Sequence, residues 1–243
     1  MPSQLQRLFV KSKLHAGAEI ALEPEQAHYL RNVLRLNQGD AILLFNGADG
    51  EWCATLTEAG KKKVLARVAH QTRAQEEGPD LHYLFAPLKR ARLDYMAQKA
   101  TEMGASVLRP VITRRTVAER VKTERLIANA IEAAEQCGIL RVPEVWEPEP
   151  LGKVLDGWDA ARLLIFADEA APTASPLEAL AAHGPGPLAL LIGPEGGFEP
   201  EERAALLAKP FVVPISLGPR VMRADTAAVA ALALVNAALG DWR

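Results

Sequence analysis

Leu188-Ala189-Leu190-Leu191-Ile192-Gly193-Pro194-Glu195-Gly196-Gly197-Phe198 reads as a short apolar strand that runs into a glycine turn. Five consecutive apolar residues bounded by turn formers suit a strand covered on both faces. The phrase returns downstream as Phe211-Val212-Val213-Pro214-Ile215-Ser216-Leu217, followed by Gly218-Pro219-Arg220-Val221-Met222-Arg223. A helical run follows each turn, Glu199 to Lys209 and then Ala224 to Leu239. Strand, turn and helix in repeated order predict an α/β fold with a parallel sheet. Glycine lets a backbone approach a ligand closely, and such folds bind ligands beyond the carboxyl ends of their strands. The two turns are therefore the first candidate pocket.

The alternation extends upstream. Leu81 to Ala86 reads as a strand, Ala91 to Met103 as a helix ended by Gly104, Ser106 to Ile112 as a strand and Lys122 to Cys137 as a helix ended by Gly138. Apolar residues at helical spacing (Leu93, Met96, Ala97, Ala100; Ile127, Ala130, Ile131, Ala134) carry both helices. Arg162 to Ala167 is a further strand and Pro176 to Ala182 a short helix. Residues 1–72 have another character: strands at Arg7 to Val10, Ala41 to Phe45, Glu51 to Thr57 and Val64 to Val68, one helix from Pro24 to Leu34, and a hairpin loop at Asn46 to Gly50. Strands with one helix and tight turns predict a small β-barrel. Residues 73–80 are polar and carry Gly78-Pro79, the mark of a linker. The predicted organisation is a barrel over 1–72, a linker over 73–80 and an α/β domain over 81–243.

The 243 residues carry a net charge of only −2, with 49% hydrophobic and 24% charged residues, as in an ordinary globular chain. Local sums differ: residues 1–80 balance at 0, residues 81–126 carry +6 and residues 127–243 carry −8. A basic middle in an acidic chain is compatible both with a nucleic-acid face and with solvated helix surfaces. The two cysteines, Cys53 and Cys137, form no C-x-x-C pair, and the five histidines have no ligand spacing, so no metal site is expected. The start, Met1 to Val10, lacks the apolar core of a signal peptide, and Thr226 to Gly240 is short of a membrane span. A cytoplasmic protein without a membrane segment is expected.

Gly193-Pro194-Glu195-Gly196-Gly197 is neither the dinucleotide G-x-G-x-x-G nor a Walker A loop. In the second turn, Asp225 and Thr226 have an ordinary reading as caps at a helix start. Arg223 is unusual there, because a helix N-terminus is already electropositive, and it points to a ligand or substrate. The helix that follows is apolar all round over Ala227 to Val235, which predicts burial by the core or by a partner subunit.

The paired motifs Leu191 to Phe198 and Ile215 to Ala227 resemble those of the ribosomal RNA small subunit methyltransferase E family, a SPOUT-class family of S-adenosylmethionine enzymes. The resemblance extends to Arg7-Leu8-Phe9, Val33-Leu34-Arg35, Gly39-Asp40, Lys89, Gln98 to Gly104 and Glu132 to Gly138 with Arg141-Val142-Pro143-Glu144. It implies methylation of N3 of a uridine in 16S rRNA of the small ribosomal subunit. It also implies a homodimer, a PUA-like N-terminal barrel, and a C-terminal parallel sheet with helices on both faces and a trefoil knot.

Carried over residue by residue, the resemblance implies that S-adenosylmethionine is held by Leu191, Ile192, Gly193, Pro194, Gly196 and Gly197 of the first turn. From the second segment it implies Ile215, Leu217, Gly218, Met222, Arg223, Thr226 and Ala227. Arg223 is the candidate for stabilising a uridine anion, with Asp225 as base or orienter, although the family usually has glutamate at that place. Arg7, Arg35, Lys89, Arg114 and Arg115 are the RNA-binding candidates, set by their charge. The alternative reading is a non-catalytic RNA-binding ribosome-assembly factor with the same fold.

Overall fold

The computed structural model describes residues 5–60, 63–117, 120–172 and 175–242. Residues 1–4, where the N-terminal reading begins, and residue 243, the end of the predicted second domain, lie outside the described residues. Two compact units are present, Met1–Glu77 with Ala134–Val142, and Gly78–Ala133 with Pro143–Arg243. The first unit therefore includes a segment that the sequence places wholly within the α/β region.

The first unit contains β1 (Arg7–Phe9), β2 (Glu19–Ala21), α1 (Pro24–His28), β3 (Ala41–Phe45), β4 (Glu51–Ala59) and β5 (Val64–Arg73). Its sheet has the order β1-β3-β4-β5-β2. β1 pairs parallel to β3 and the other pairs are antiparallel. Alternate residues point inward, such as Ile42 and Leu44 of β3 and Val64, Ala66 and Val68 of β5. With Leu8 and Ile20 from the edge strands they form one core, so the sheet curls around it. The predicted barrel is thus a curled sheet with two edges. Edge β1 is covered in part by α1, where Gln26 Nε2 donates to the Phe9 carbonyl at 2.7 Å. The predicted helix from Pro24 to Leu34 is helical to Val33, but α1 widens into a π turn over Tyr29–Val33, and Arg35 follows at φ 57. Strand β2 is three residues long and leaves no pattern that the sequence reading could detect.

The second unit runs β6 (Leu81–Phe85), α2 (Arg90–Glu102), β7 (Val107–Ile112), α3 (Thr123–Cys137), β8 (Glu144–Val145), β9 (Glu149–Pro150), α4 (Leu151–Asp156) and β10 (Leu163–Ala167). It continues through α5 (Pro176–Ala181), β11 (Leu188–Ile192), α6 (Pro200–Leu207), β12 (Val212–Ile215) and α7 (Ala224–Ala238). The last turn of α3 belongs to the first unit. The sheet order is β12-β10-β11-β6-β7-β8, with β9 beside β7, and every pair is parallel.

Helices cover both faces. Leu151, Val154 and Leu155 of α4 and Leu206 of α6 share a core with Leu84, Val111, Leu164, Phe166, Ala189 and Leu191. On the other side α7 packs on β11, α2 and α5. Every residue of β11 is buried, as its unbroken apolar run requires. Pro214 sits exposed on β12, an edge strand, where its missing donor costs little. Because β12 lies beyond β10, the chain leaving β11 must return past β10 before it forms β12. This brings the carboxyl ends of β10, β11 and β12 to one place. Among the described residues no helix is long and apolar enough to cross a membrane.

Candidate active site

Three loops leave the carboxyl ends of β10, β11 and β12 and enclose a cleft of about 210 Å³. The loop after β11 contributes Ile192, Gly193, Pro194, Glu195, Gly197 and Phe198. The loop after β12 contributes Leu217, Gly218, Arg220, Val221 and Met222, and the start of α7 adds Ala224 and Ala227. The loop after β10 supplies Ala167, Asp168, Glu169 and Ala170, with Arg203 of α6 beside it.

The β11 loop is tightly determined. Gly197 takes φ 69, and its N–H donates to the Pro194 carbonyl at 2.9 Å. A Cβ on Gly193 would lie 2.4 Å from Phe198 Cε2, so only glycine lets that ring close over the strand end. Phe198 in turn stands edge-on to Phe166, with ring centroids 5.0 Å apart. Outside the cleft, Arg115 donates to Glu199 Oε1 at 2.8 Å and to the Gly196 carbonyl at 2.7 Å. Arg92 holds Glu195 at 3.0 Å, and Arg114 pairs with Glu201.

The β12 loop is looser. Its one internal bond runs from Gly218 N–H to Ser216 Oγ at 3.3 Å. Among the described residues, the backbone N–H groups of Leu217, Val221 and Met222 have no protein partner. Such groups need water or a ligand. Val221 is 87% exposed.

In the β10 loop Asp168 is 5% exposed and receives Arg203 through Nε and Nη2, the latter at 2.8 Å from Oδ2. That hydrogen bond holds the Arg203 guanidinium above its ordinary range. Tyr83 of β6 is wholly buried, and its hydroxyl has no hydrogen-bond partner among the described residues. Burial first, and the Asp225 carboxylate second, push its phenol well above the ordinary range. It therefore stays protonated and able to donate.

Of the residues expected to hold a cofactor, Ile192, Gly193, Pro194, Gly197, Leu217, Gly218, Met222 and Ala227 line the cleft. Leu191 and Ile215 do not: they are buried in their strands at 0% and 2% exposure and support the loops from below. Gly196 lies on the outer side under Arg115. Arg223 and Thr226 are exposed beside the cleft, and Arg223 emerges between two lining residues, Met222 and Ala224. Arg223 is the residue preceding the first turn of α7, and Asp225 Oδ1 accepts from Thr226 N–H at 2.9 Å.

The RNA candidates separate. Arg7 is 5% exposed, paired with Glu51 at 2.6 Å and bonded to the carbonyls of Ala134, Glu135 and Ile139. Its charge is spent inside the first unit, so it presents nothing to a phosphate. Arg114 and Arg115 are exposed but hold the carboxylates of α6. Arg35 and Lys89 are exposed, and their side chains have no partner among the described residues.

Sequence reading missed the whole β10 loop. An acidic residue directly after a buried strand, Asp168 after Leu163 to Ala167, is the signal that could have found it. It also missed a second cavity of about 400 Å³ lined by Arg120, Lys122 and Arg125, with Leu93, Asp94 and Leu126. Asp94 pairs with Arg125, which leaves this cavity a net basic lining.

Residues 75–236 match the model of an RNA methyltransferase domain, and residues 22–69 match an RNA methyltransferase PUA domain. The chain is 30% identical to the ribosomal RNA small subunit methyltransferase E of Rickettsia conorii, over 95% of this chain and 94% of the relative. Among solved structures it is similar to a putative methyltransferase of Legionella pneumophila in complex with the bound cofactor SAM. There the TM-score is 0.87 at 32% identity, covering 98% of this chain and 99% of the other. The small subunit methyltransferase E of Neisseria gonorrhoeae, bound to S-adenosyl methionine, gives a TM-score of 0.85 at 26% identity over 99% and 100% of the two chains.

Proposed function

We infer that this chain, which belongs to the RNA methyltransferase family, is an S-adenosylmethionine-dependent methyltransferase of small-subunit ribosomal RNA. The single observation that carries the reading is the three-loop cleft at the carboxyl ends of β10, β11 and β12 in a chain of this family. The N3 position of a uridine as target, the homodimer and the trefoil-knotted path of the cleft loops follow from the motif resemblance and are part of the proposal.

The residues present fit the cofactor. Ile192, Leu217, Met222 and Ala227 give apolar contact for an adenine ring and an aliphatic chain. The unpartnered N–H groups of Leu217, Val221 and Met222 offer donors to its polar atoms. When bound, the cofactor supplies an electrophilic methyl group on a sulfonium, so the protein's task is orientation and electrostatics.

A uracil N3 carries a proton at neutral pH, and once that proton leaves the ring carries negative charge. We assign the stabilising of that charge to Arg223, and its exposure at the mouth beside Met222 supports the assignment. Asp225 is half-buried in the first turn of α7, two residues on, and is the candidate to hold the proton or to orient Arg223. A base must be splayed out of structured RNA to reach such a mouth. Phosphate contacts that hold the strand meanwhile are assigned to Lys89, Arg35 and the basic cavity of Arg120, Lys122 and Arg125.

The second copy is assigned to α7. Ala227, Val229, Ala230, Ala233 and Leu234 stay half-covered in the single chain, although the helix is apolar all round. Isothermal titration with S-adenosylmethionine tests the reading, followed by methyl transfer to small-subunit RNA. Binding with transfer to uridine N3 is expected. Binding to RNA without cofactor binding, with or without RNA present, would favour a non-catalytic assembly factor.

A further inference from the structure

We propose that Arg115 is a positioning residue for the cofactor loop rather than an RNA contact. Through Gly196 and Glu199 it fixes the outer side of the Gly193–Phe198 turn whose inner side lines the cleft. The proposal rests on the methyltransferase reading of that cleft.

The turn is poor in side chains that could hold its own shape. Gly193, Gly196 and Gly197 contribute none, and Glu195 points its carboxylate to Arg92. Arg115, from the loop after β7, supplies what is missing. Its Nη1 donates to the Gly196 carbonyl at 2.7 Å and its Nε to Glu199 Oε1 at 2.8 Å. Two donors of one planar fork thus span the turn from its middle to the start of α6, a geometry that a lysine cannot reproduce. The aliphatic stem also packs here: a Cβ on Gly196 would lie 3.6 Å from Arg115 Cδ and 3.7 Å from its Cβ. Next to it, the Arg114 N–H donates to Glu202 Oε1 at 2.9 Å, which ties the same loop to α6 through backbone. Two of the five Arg115 guanidinium donors are engaged in this way, and the Glu199 carboxylate already offsets the charge that a phosphate would seek.

An exposed Arg–Glu pair contributes little by itself. The effect here lies in where the fork acts, on the outer side of a pocket wall whose inner side Phe198 holds against Phe166. Losing it leaves the turn free to sample other conformations, so the cofactor must order it on binding. Replacing Arg115 by alanine should weaken S-adenosylmethionine binding by about 5- to 10-fold while RNA affinity stays within about twofold.

The experiment titrates wild type, Arg115→Ala, Arg115→Lys, Glu199→Gln and the double variant Arg115→Ala with Glu199→Gln against S-adenosylmethionine and, separately, against a small-subunit rRNA fragment. Thermal unfolding of each variant verifies the fold. Cofactor affinity should fall in the order wild type, Arg115→Lys, Arg115→Ala. Adding Glu199→Gln to Arg115→Ala should cost less than Glu199→Gln alone, the non-additivity of partners in one network. Hydrogen exchange at the Gly197 amide gives a second readout independent of the cofactor, and Arg115→Ala should accelerate it about 5-fold or more. Unchanged cofactor affinity with weakened RNA binding overturns the proposal and returns Arg115 to the RNA surface. Unchanged exchange at Gly197 also overturns it. A wild-type protein that binds no cofactor would instead sink the methyltransferase reading, and the exchange result would still decide the clamp.

Discussion

The two walls of the cleft follow the same sequence plan, strand, glycine turn and helix, yet they are held in different ways. The wall after β11 is fixed from both sides, by Phe198 on Phe166 within and by Arg92 and Arg115 without. The wall after β12 has one hydrogen bond of its own, from Gly218 to Ser216, and a Val221 that is 87% exposed. One wall is preorganised and the other waits for something to order it. On the proposed function, the firm wall would seat the cofactor and the loose wall, which also carries Leu217 and Met222, would order around cofactor and RNA as they bind.

Three experiments break or sharpen that contrast. The largest effect is expected on the adaptable wall, because it carries the proposed chemistry. Arg223→Ala should lower kcat by about 100-fold or more while cofactor affinity changes by less than about threefold; single-turnover methylation with a parallel titration measures both. An unchanged rate would remove Arg223 from the reaction.

Next comes the firm wall. Gly193→Ala places a methyl group 2.4 Å from Phe198 and must displace that ring. Unfolding should become easier by about 1–3 kcal/mol, the usual cost of overpacking, and cofactor binding should be lost in parallel. A denaturant titration with a binding isotherm tests it. Tolerance of the methyl without loss would mean that the β11 wall is no firmer than its counterpart.

The smallest effect is expected at Gly218. It has φ 99 but nothing within 4 Å of an added Cβ. Gly218→Ala should cost about 1–2 kcal/mol from backbone strain alone, with cofactor affinity within a few-fold. A loss of affinity as deep as that of Gly193→Ala would show that both walls are equally exacting.

Much of this was legible in the chain. The buried run Leu188 to Ile192, the helical periodicities of α2 and α3 and the two glycine turns mark the α/β class, because strand and helix periods are local and burial imprints them directly. The residues brought to the cleft from those turns, such as Gly193, Gly197, Leu217 and Met222, were readable for the same reason. What escaped was set by distant partners. Arg7 and Arg115 are both arginines in polar surroundings, and nothing nearby in sequence tells that one is buried against Glu51 and the other bonded to Gly196, 81 residues away. Asp168 is a further case, since its partner Arg203 lies 35 residues on.

The sequence by itself determined the class of fold, the two turns and the family, since these rest on local pattern and on motifs of adjacent residues. Only the tertiary structure decided which charges are free. A guanidinium has the same chemistry in every sequence context, and its role is fixed by the acceptors that the folded chain brings within hydrogen-bond distance. For Arg7 these acceptors are a buried carboxylate and the carbonyls at the end of α3; for Arg115 they are a glycine carbonyl and Glu199. Arg35 and Lys89 meet no such acceptor among the described residues, and their charge remains at the surface.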